Sequence, residues 1–364
     1  MATGTASLYM VIFMEIRDFD RLQMLPDALL PWFAENARDL PWRRDREPYH
    51  VWLSEIMLQQ TRVEAVKPYY ARFLNALPTI ADLAECGEDA LLKLWEGLGY
   101  YSRARNLAKA AREILTRHGG KFPSEYAQIR DLSGIGDYTA GAVASICFGL
   151  PTPAVDGNVL RVVTRIQADG SCIDDANVKK QIRDALTKVY ENCSRCGDLT
   201  QALMELGATV CVPNGAPHCE SCPCRAFCLA HEAGRVADYP VRKEKKARRI
   251  EEYTVYTLQC GDRIAVRKRQ GRGLLAGLWE LPHLDGKLDA QTAISAAEAA
   301  WQCKPRELYS VQQKTHIFTH IEWHMTCVHL ACAEMSQSFS WVTRDALTAE
   351  TPLPTAFRIC LPDF

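Results

Sequence analysis

The sequence predicts a mainly α-helical body over residues 25–230, followed by a smaller α+β domain over residues 252–364. Three observations carry this. From Leu25 to about Ala230, apolar residues recur at helical spacing between turns marked by Gly and Pro. Four cysteines crowd into the stretch from Cys211 to Cys228 and close the helical part. Beyond Tyr253 the pattern switches to the short β-branched and aromatic runs of strands.

Each element follows in order. Residues 1–24 read as an N-terminal extension. Pro48 introduces a helical pattern from Tyr49 to Val66, and further helices are expected around 88–97, 103–118, 136–149, 177–191 and 199–210. Gly97 and Gly99, Gly119-Gly120, Ser133-Gly134 and Pro151 to Pro153 supply the turns between them. Residues 231–251 form a basic linker. Val241 to Arg249 carries six Lys or Arg and one Glu, a solvated stretch and a candidate for contact with DNA backbone. Strands are expected at 253–258, 263–266, 326–330 and 339–342, with one helix from Ala290 to Trp301. There is no internal repeat and no low-complexity tract.

Length and composition bound the answer. The chain has 364 residues, two or three domains at roughly 100–200 residues each. With 43 basic against 44 acidic residues, total charge gives no argument for nucleic acid. A DNA-binding surface must come from local concentration of Lys and Arg. No apolar run approaches the ~20 residues of a membrane span, so no membrane partner is expected. The short run Leu8 to Met14 has no basic flank and no cleavage site, unlike a signal peptide. Fifteen cysteines without a secretory signal point to a reducing, intracellular setting, where clustered thiols mean metal more often than disulfide.

Cys211, Cys219, Cys222 and Cys228 are separated by seven, two and five residues. Four thiolates so grouped suit a [4Fe–4S] cluster or a zinc ion. Cys224 is spare, and the isolated Cys193/Cys196 pair reads as incidental. In Leu132 to Ala140, Gly134 and Gly136 permit a positive-φ turn between two helices. The following helix start offers free N–H groups to a phosphate, although a plain helix–turn–helix link has the same pattern. Asp156 opens a helix after Pro153, which suits an N-cap or a carboxylate at a reaction centre. Glu55 lies one turn before Gln59 and is flanked by apolar residues, unlike a solvated helix face. Two such carboxylates suit cleavage of a glycosidic bond: one acid for the leaving group, one anion for the oxocarbenium-like sugar.

Taken in chain order, several segments resemble MutY-type adenine DNA glycosylases. They are Leu40-Pro41-Trp42-Arg43, Val51 to Thr61, Trp95 to Leu107, the Gly-Ile-Gly hairpin, Val155 to Val159, Glu205-Leu206-Gly207-Ala208 and the cysteine cluster. The hairpin, the aspartate and the cluster are shared with the wider helix-hairpin-helix superfamily, which includes endonuclease III. The resemblance implies a helix-hairpin-helix glycosylase, a six-helix barrel plus an iron–sulfur cluster domain holding [4Fe–4S]. Its expected partner is duplex DNA with adenine opposite 8-oxoguanine or guanine, bound by a monomer. Asp156 would stabilise the sugar cation and Glu55 would protonate adenine N7. Tyr138 and Asn158 would orient these carboxylates, and Arg43 would lie beside the flipped base. Gln59 and Tyr100 would fill the gap in the base stack. Bifunctional glycosylase/lyases carry Lys at the position of Tyr138, so base removal without efficient strand cleavage is expected.

Gly273 to Glu280 resembles the early motif of the family's Nudix-like C-terminal domain, and the long acidic signature of nucleotide hydrolases is missing. Phe318-Thr319-His320 resembles the family segment that engages 8-oxoguanine; a strand beside a turn is the plainer reading of the same residues. Departures are the seven-residue first cysteine gap where the family has six, Ser133 for Pro, Asp137 beside the hairpin and Thr319 for Ser. The rival readings are an endonuclease III-like glycosylase/lyase and a catalytically silent DNA-binding relative. A cytoplasmic, nucleoid-associated bacterial protein is expected, or a nuclear or organellar one in a eukaryote.

Overall fold

The computed structural model describes residues 21–244, 246–270 and 273–362. Most of the expected N-terminal extension, including the run Leu8 to Met14, lies outside the described residues. The described residues form two compact units. The first holds those up to Ala71, Thr79–Ala84 and Lys109–Glu244; the second holds Arg72–Pro78, Glu85–Ala108 and those from residue 246 onward.

The helices are α1 (Leu25–Asn36), α2 (Pro48–Leu58), α3 (Val63–Ala76), α4 (Ile80–Glu85), α5 (Glu88–Leu94), α6 (Ser102–His118), α7 (Tyr126–Arg130), α8 (Asp137–Phe148), α9 (Gly157–Gln167), α10 (Ala176–Glu191) and α11 (Cys196–Thr209). All of α5, with parts of α3 and α6, groups with the second unit. The pattern read as one helix over 49–66 is two. Pro at the first position starts α2, and Gln60 at φ 59° breaks it before α3 begins. In the first unit, one face of α9 (Val159, Val162, Val163, Ile166) packs with Leu22, Leu25 and Leu29 and with Leu199, Leu203 and Leu206 of α11. Each such fully buried aliphatic side chain contributes about 1.5–3 kcal/mol. The cysteine-bearing loop follows α11 and ends in the short helix α12 (Leu229–Glu232).

The second unit is built on a seven-stranded sheet: β1 (Arg249–Cys260), β2 (Arg263–Lys268), β3 (Trp279–Glu280), β4 (His283–Asp285), β5 (Pro305–Ile317), β6 (Ile321–Cys332) and β7 (Ser340–Thr343). The order is β3-β2-β1-β6-β5, with β4 on β1 and β7 on β2. β1 and β6 run parallel, from Arg249 opposite Ile321 to Gln259 opposite Ala331. Alternation along β1 sends Val255 into one core with Trp323 and Phe357, and Tyr256 and Leu258 into another. The second core is covered by α13 (Ala290–Trp301) through Ala293, Ala297 and Trp301. β5 has no counterpart among the expected strands. Cys327 and Cys360 form a disulfide, a pairing the metal-first reading of the cysteines did not foresee. Among the described residues, no helix is long and apolar enough to cross a membrane.

Candidate active site and cysteine cluster

In the first unit, a cleft of 540 Å³ is lined by Arg43, Glu55, Gln59, Tyr138, Asp156, Asn158 and Glu205, among others. Residues far apart in the sequence thus meet around one space. Asp156 caps α9: its Oδ1 accepts from Val159 N at 2.8 Å and its Oδ2 from Asn158 Nδ2 at 2.8 Å. Burial pushes its carboxyl pKa up, and the bonds from Val159 and Asn158 oppose that. Arg161 continues the chain, donating from Nη2 to Asn158 Oδ1 at 2.8 Å and from Nε to Cys211 O at 2.7 Å.

Glu55 sits on the cleft side of α2 and is only 5% exposed. Burial raises its pKa from 4.5 to about 7; the Tyr138 hydrogen bond lowers it, the Asp156 charge raises it and Arg43 lowers it. The Tyr138 hydroxyl donates to Glu55 Oε2 and also reaches Met204 Sδ at 3.3 Å. The cleft therefore presents one carboxyl that is partly protonated near neutrality and a second that is hydrogen-bonded on both oxygens. Arg43 Nη2 donates to Glu205 Oε2 at 2.8 Å, while Arg38 binds the same carboxylate through Nε at 2.6 Å and Nη2 at 2.8 Å. Burial alone would raise Glu205, yet the hydrogen bonds from Arg38 and Arg43 prevail and hold it at about 2. Gln59 Nε2 reaches Thr139 Oγ1 at 3.4 Å.

The hairpin differs in detail from expectation. Gly134 takes φ 77°, but Gly136 is the N-cap of α8 at φ −96°, which any residue can adopt. A Cβ there would meet nothing within 4 Å, so Gly136 leaves bare surface in front of the α8 amides rather than making a turn. Ser133 uses both its amide and its hydroxyl on Glu113, at 2.8 and 2.6 Å; a Pro has no such amide. Asp137 accepts from Arg130 at 2.7 Å and Arg183 at 2.5 Å, so its charge beside the hairpin is more than balanced.

In the second unit, Tyr100 and Phe318-Thr319-His320 line a second cleft, of 660 Å³. Tyr100 is 45% exposed at φ 48°, a strained conformation for an aromatic residue. The guanidinium of Arg103 lies 5.5 Å from its ring and 5.3 Å from that of Trp95, and donates to Leu98 O and Gly99 O. The Tyr100 and Thr319 hydroxyls are 2.5 Å apart. Phe318 turns inward against Trp323 and His316, whereas Thr319 and His320 are exposed between β5 and β6.

Cys211, Cys219, Cys222 and Cys228 line one narrow cavity with Cys224, Arg165 and His231. Burial pushes the Cys211 thiol pKa up, and Arg165, whose Nη1 stands 3.2 Å from Cys211 Sγ, opposes that. Among the described residues, no group of three or more Cys, His, Asp or Glu is placed to hold a metal ion. The donor set and its cationic neighbour suit an iron–sulfur cluster. Sequence reasoning missed Arg38 and Arg161, which act through hydrogen bonds far along the chain, and Arg103, which shows only as a basic residue after the Gly97–Ser102 turn.

Residues 53–191 match the family model described as HhH-GPD superfamily base excision DNA repair protein, and residues 253–362 match the NUDIX domain. The chain is 36% identical over 353 residues to an adenine DNA glycosylase of Arabidopsis thaliana, covering 82% of this chain and 56% of that protein. It is 35% identical over 351 residues to an adenine DNA glycosylase of Rattus norvegicus, covering 81% of this chain and 68% of that protein. The fold of a thermostable thymine-DNA glycosylase superimposes with a TM-score of 0.53 at 27% identity, over 59% of this chain and 98% of that one. The chain spans little more than half the length of the plant relative, but over two thirds of the rat one. With the glycosylase-type helical domain and the Nudix-like domain in the same order, the chain belongs to the adenine DNA glycosylase family.

Proposed function

We propose that the chain is a monofunctional glycosylase of base excision repair, acting as a monomer in the cytoplasm. It hydrolyses the N-glycosidic bond of adenine mispaired with 8-oxoguanine, or with guanine, in duplex DNA. The observation that carries this is the buried Glu55, with a pKa of about 7, in one cleft with Asp156. Adenine must leave the base stack to reach them. Protonated Glu55 gives its proton to N7; the C1′–N9 bond then breaks and its electron pair leaves with the base. The sugar cation is stabilised by Asp156, which is already oriented by Val159 N and Asn158. Water then bonds to C1′ and yields its proton to the Glu55 carboxylate. Arg43, anchored on Glu205, flanks the base. With Tyr138 hydrogen-bonded to Glu55 and no amine at that position, no Schiff base forms.

On this reading Gln59 and Tyr100 support the opened stack, the bare hairpin at Gly134 and Gly136 takes a phosphate, and Phe318-Thr319-His320 engages the opposite base. The four cysteines would hold a [4Fe–4S] cluster, one iron per thiol, and such a cluster would tie the 211–228 loop together as it folds.

The test is single-turnover excision on a duplex with adenine opposite 8-oxoguanine, with A:G and A:T controls, read with and without alkali. Product only after alkali, fastest opposite 8-oxoguanine and absent for A:T, is expected. Strand breaks without alkali would move the assignment to a glycosylase/lyase; no product on any duplex would move it to a DNA-binding protein. Iron and sulfide assay of the purified protein tests the cluster, and zinc in their place would overturn it.

A further inference from the structure

Drawing a nucleotide into the first unit's cleft brings backbone phosphates toward two carboxylates, Glu55 and Asp156. A cation near Asp156 would offset that repulsion, and the basic stretch after the cysteine loop supplies one. Arg165 Nε donates to Val236 O and Tyr239 O, both at 3.0 Å. Val241 pairs with Cys172 as a parallel bridge and its O accepts from Ile173 N at 3.0 Å. Lys243 N donates to Asp174 Oδ2 at 3.0 Å. The chain is therefore held on both sides of Arg242, although composition alone reads it as a solvated linker.

Arg242 is exposed. Its Nη2 stands 3.7 Å from where a Cβ on Gly157 would be, and Gly157 directly follows Asp156 at the start of α9. Among the described residues, no hydrogen bond or ion pair engages the Arg242 guanidinium, and its charged neighbour is another cation, Arg161. The other arginines of the stretch are occupied: Arg249 pairs with Glu251 at 2.5 Å, and Arg248 donates to Phe318 O at 3.2 Å. A forked, permanently charged donor with free hydrogens matches a phosphate in shape and sign.

We propose that Arg242 is a positioning residue for base excision: its guanidinium grips the backbone phosphate adjoining the extruded nucleotide and seats the sugar over Asp156. This rests on the excision reading above, so the test separates the two. In full-length protein carrying Asp156→Asn, duplex affinity is measured against KCl concentration, with and without Arg242→Ala or Arg242→Lys. Three duplexes are used: one with the A:8-oxoguanine mispair, one with a tetrahydrofuran abasic analogue and one fully paired. At about 100 mM KCl, Arg242→Ala is expected to weaken binding to the first two roughly tenfold and to lower the salt slope by about one. Arg242→Lys should retain the slope and recover part of the affinity. The fully paired duplex should lose much less, because its nucleotide stays stacked. A merely structural role for Arg242 would lower melting temperature without moving the slope. Unchanged affinity and slope on the abasic duplex, or an equal loss on all three, overturns the proposal. If the protein with Asp156 intact excises no adenine but Arg242→Ala still lowers the slope on the abasic duplex, the excision reading falls and the phosphate grip stands.

Discussion

A Cβ built on Gly207 would stand 2.5 Å from the Cβ of Asn158 and 3.1 Å from its Cα. That contact fixes where Asn158 sits, and Asn158 in turn holds one oxygen of Asp156. Gly207→Ala must displace α9 or α11. It is expected to cost about 1–3 kcal/mol of stability through overpacking. Single-turnover excision should fall roughly 10- to 100-fold by misplacing the carboxylate. Thermal melting and the excision rate together check this; an unchanged rate would show that Asn158 tolerates a shift.

Asp156→Asn separates capping from chemistry. Asn and Asp cap helices about equally well, so stability should change by less than ~0.5 kcal/mol. Excision should drop by about 10²–10³-fold or more, because the charge that faces the sugar cation in the proposed mechanism is gone. Binding to the mispaired duplex should persist, as measured by electrophoretic mobility shift.

Glu55 supplies a pH dependence of known sign. As the proposed proton donor, with a pKa of about 7, it is expected to give an excision rate that falls as pH rises through neutrality. Stability follows the same direction. The folded protein holds the proton more tightly than the unfolded chain, so the contribution is full below pH 4.5 and lost as pH rises to about 7. The gap corresponds to about 3 kcal/mol. Denaturation midpoints of the native protein and of Glu55→Gln, compared between pH 5.5 and 7.5, should converge or cross as the native protein loses this increment. Parallel curves would contradict it.

Tyr138→Phe tests the hydrogen bond that favours the Glu55 anion. Without it the Glu55 pKa should rise further, moving the basic limb of the pH–rate profile upward. A lost hydrogen bond to a charged group, about 1.5 kcal/mol, corresponds to a shift of roughly one unit. A limb that stays in place would mean that Tyr138 serves packing alone.

Much of this site can be read from residue spacing, for reasons visible in particular residues. Asp156 opens a helix and Glu55 is an acid among apolar neighbours, but spacing alone left Asp156 equally a plain cap and the cysteines equally a zinc site. The resemblance singled out their roles, and the fold puts both carboxylates on one cleft. What sequence spacing hides is pairing over distance. Arg38 and Glu205 are 167 positions apart and bind in a fork, which no periodicity encodes. β5 was hidden by composition: Pro305–Ile317 is rich in polar residues and its side chains are mostly exposed, so it lacks the β-branched and aromatic run that marked β1, where Thr254 to Leu258 are all buried. The break after Leu58 was hidden because Gln60 adopts φ 59° without a glycine to flag it.

The Arg38–Glu205–Arg43 group yields one more expectation. Glu205 is fully buried, so Glu205→Ala leaves two guanidinium groups facing each other without their anion. Arg38 is 37% exposed and can rehydrate, so the expected loss is below the roughly 3–5 kcal/mol of breaking a fully buried pair. Glu205→Gln should lose less, because it keeps an oxygen acceptor. Urea denaturation at pH 7 measures both; equal stability of the alanine variant and the native protein would refute the role assigned to the fork.

The capping of α9 by Asp156 also bears on inheritance. The scaffold accepts Asn at this position almost as readily as Asp, while the chemistry does not. An allele carrying Asp156→Asn would therefore give protein of ordinary abundance that finds its lesion, stays there and clears nothing. On the proposed function, such an allele would compete with the product of an intact copy for the same duplex instead of merely being absent. Its phenotype would be dominant, where a truncated or unfolded product would be recessive.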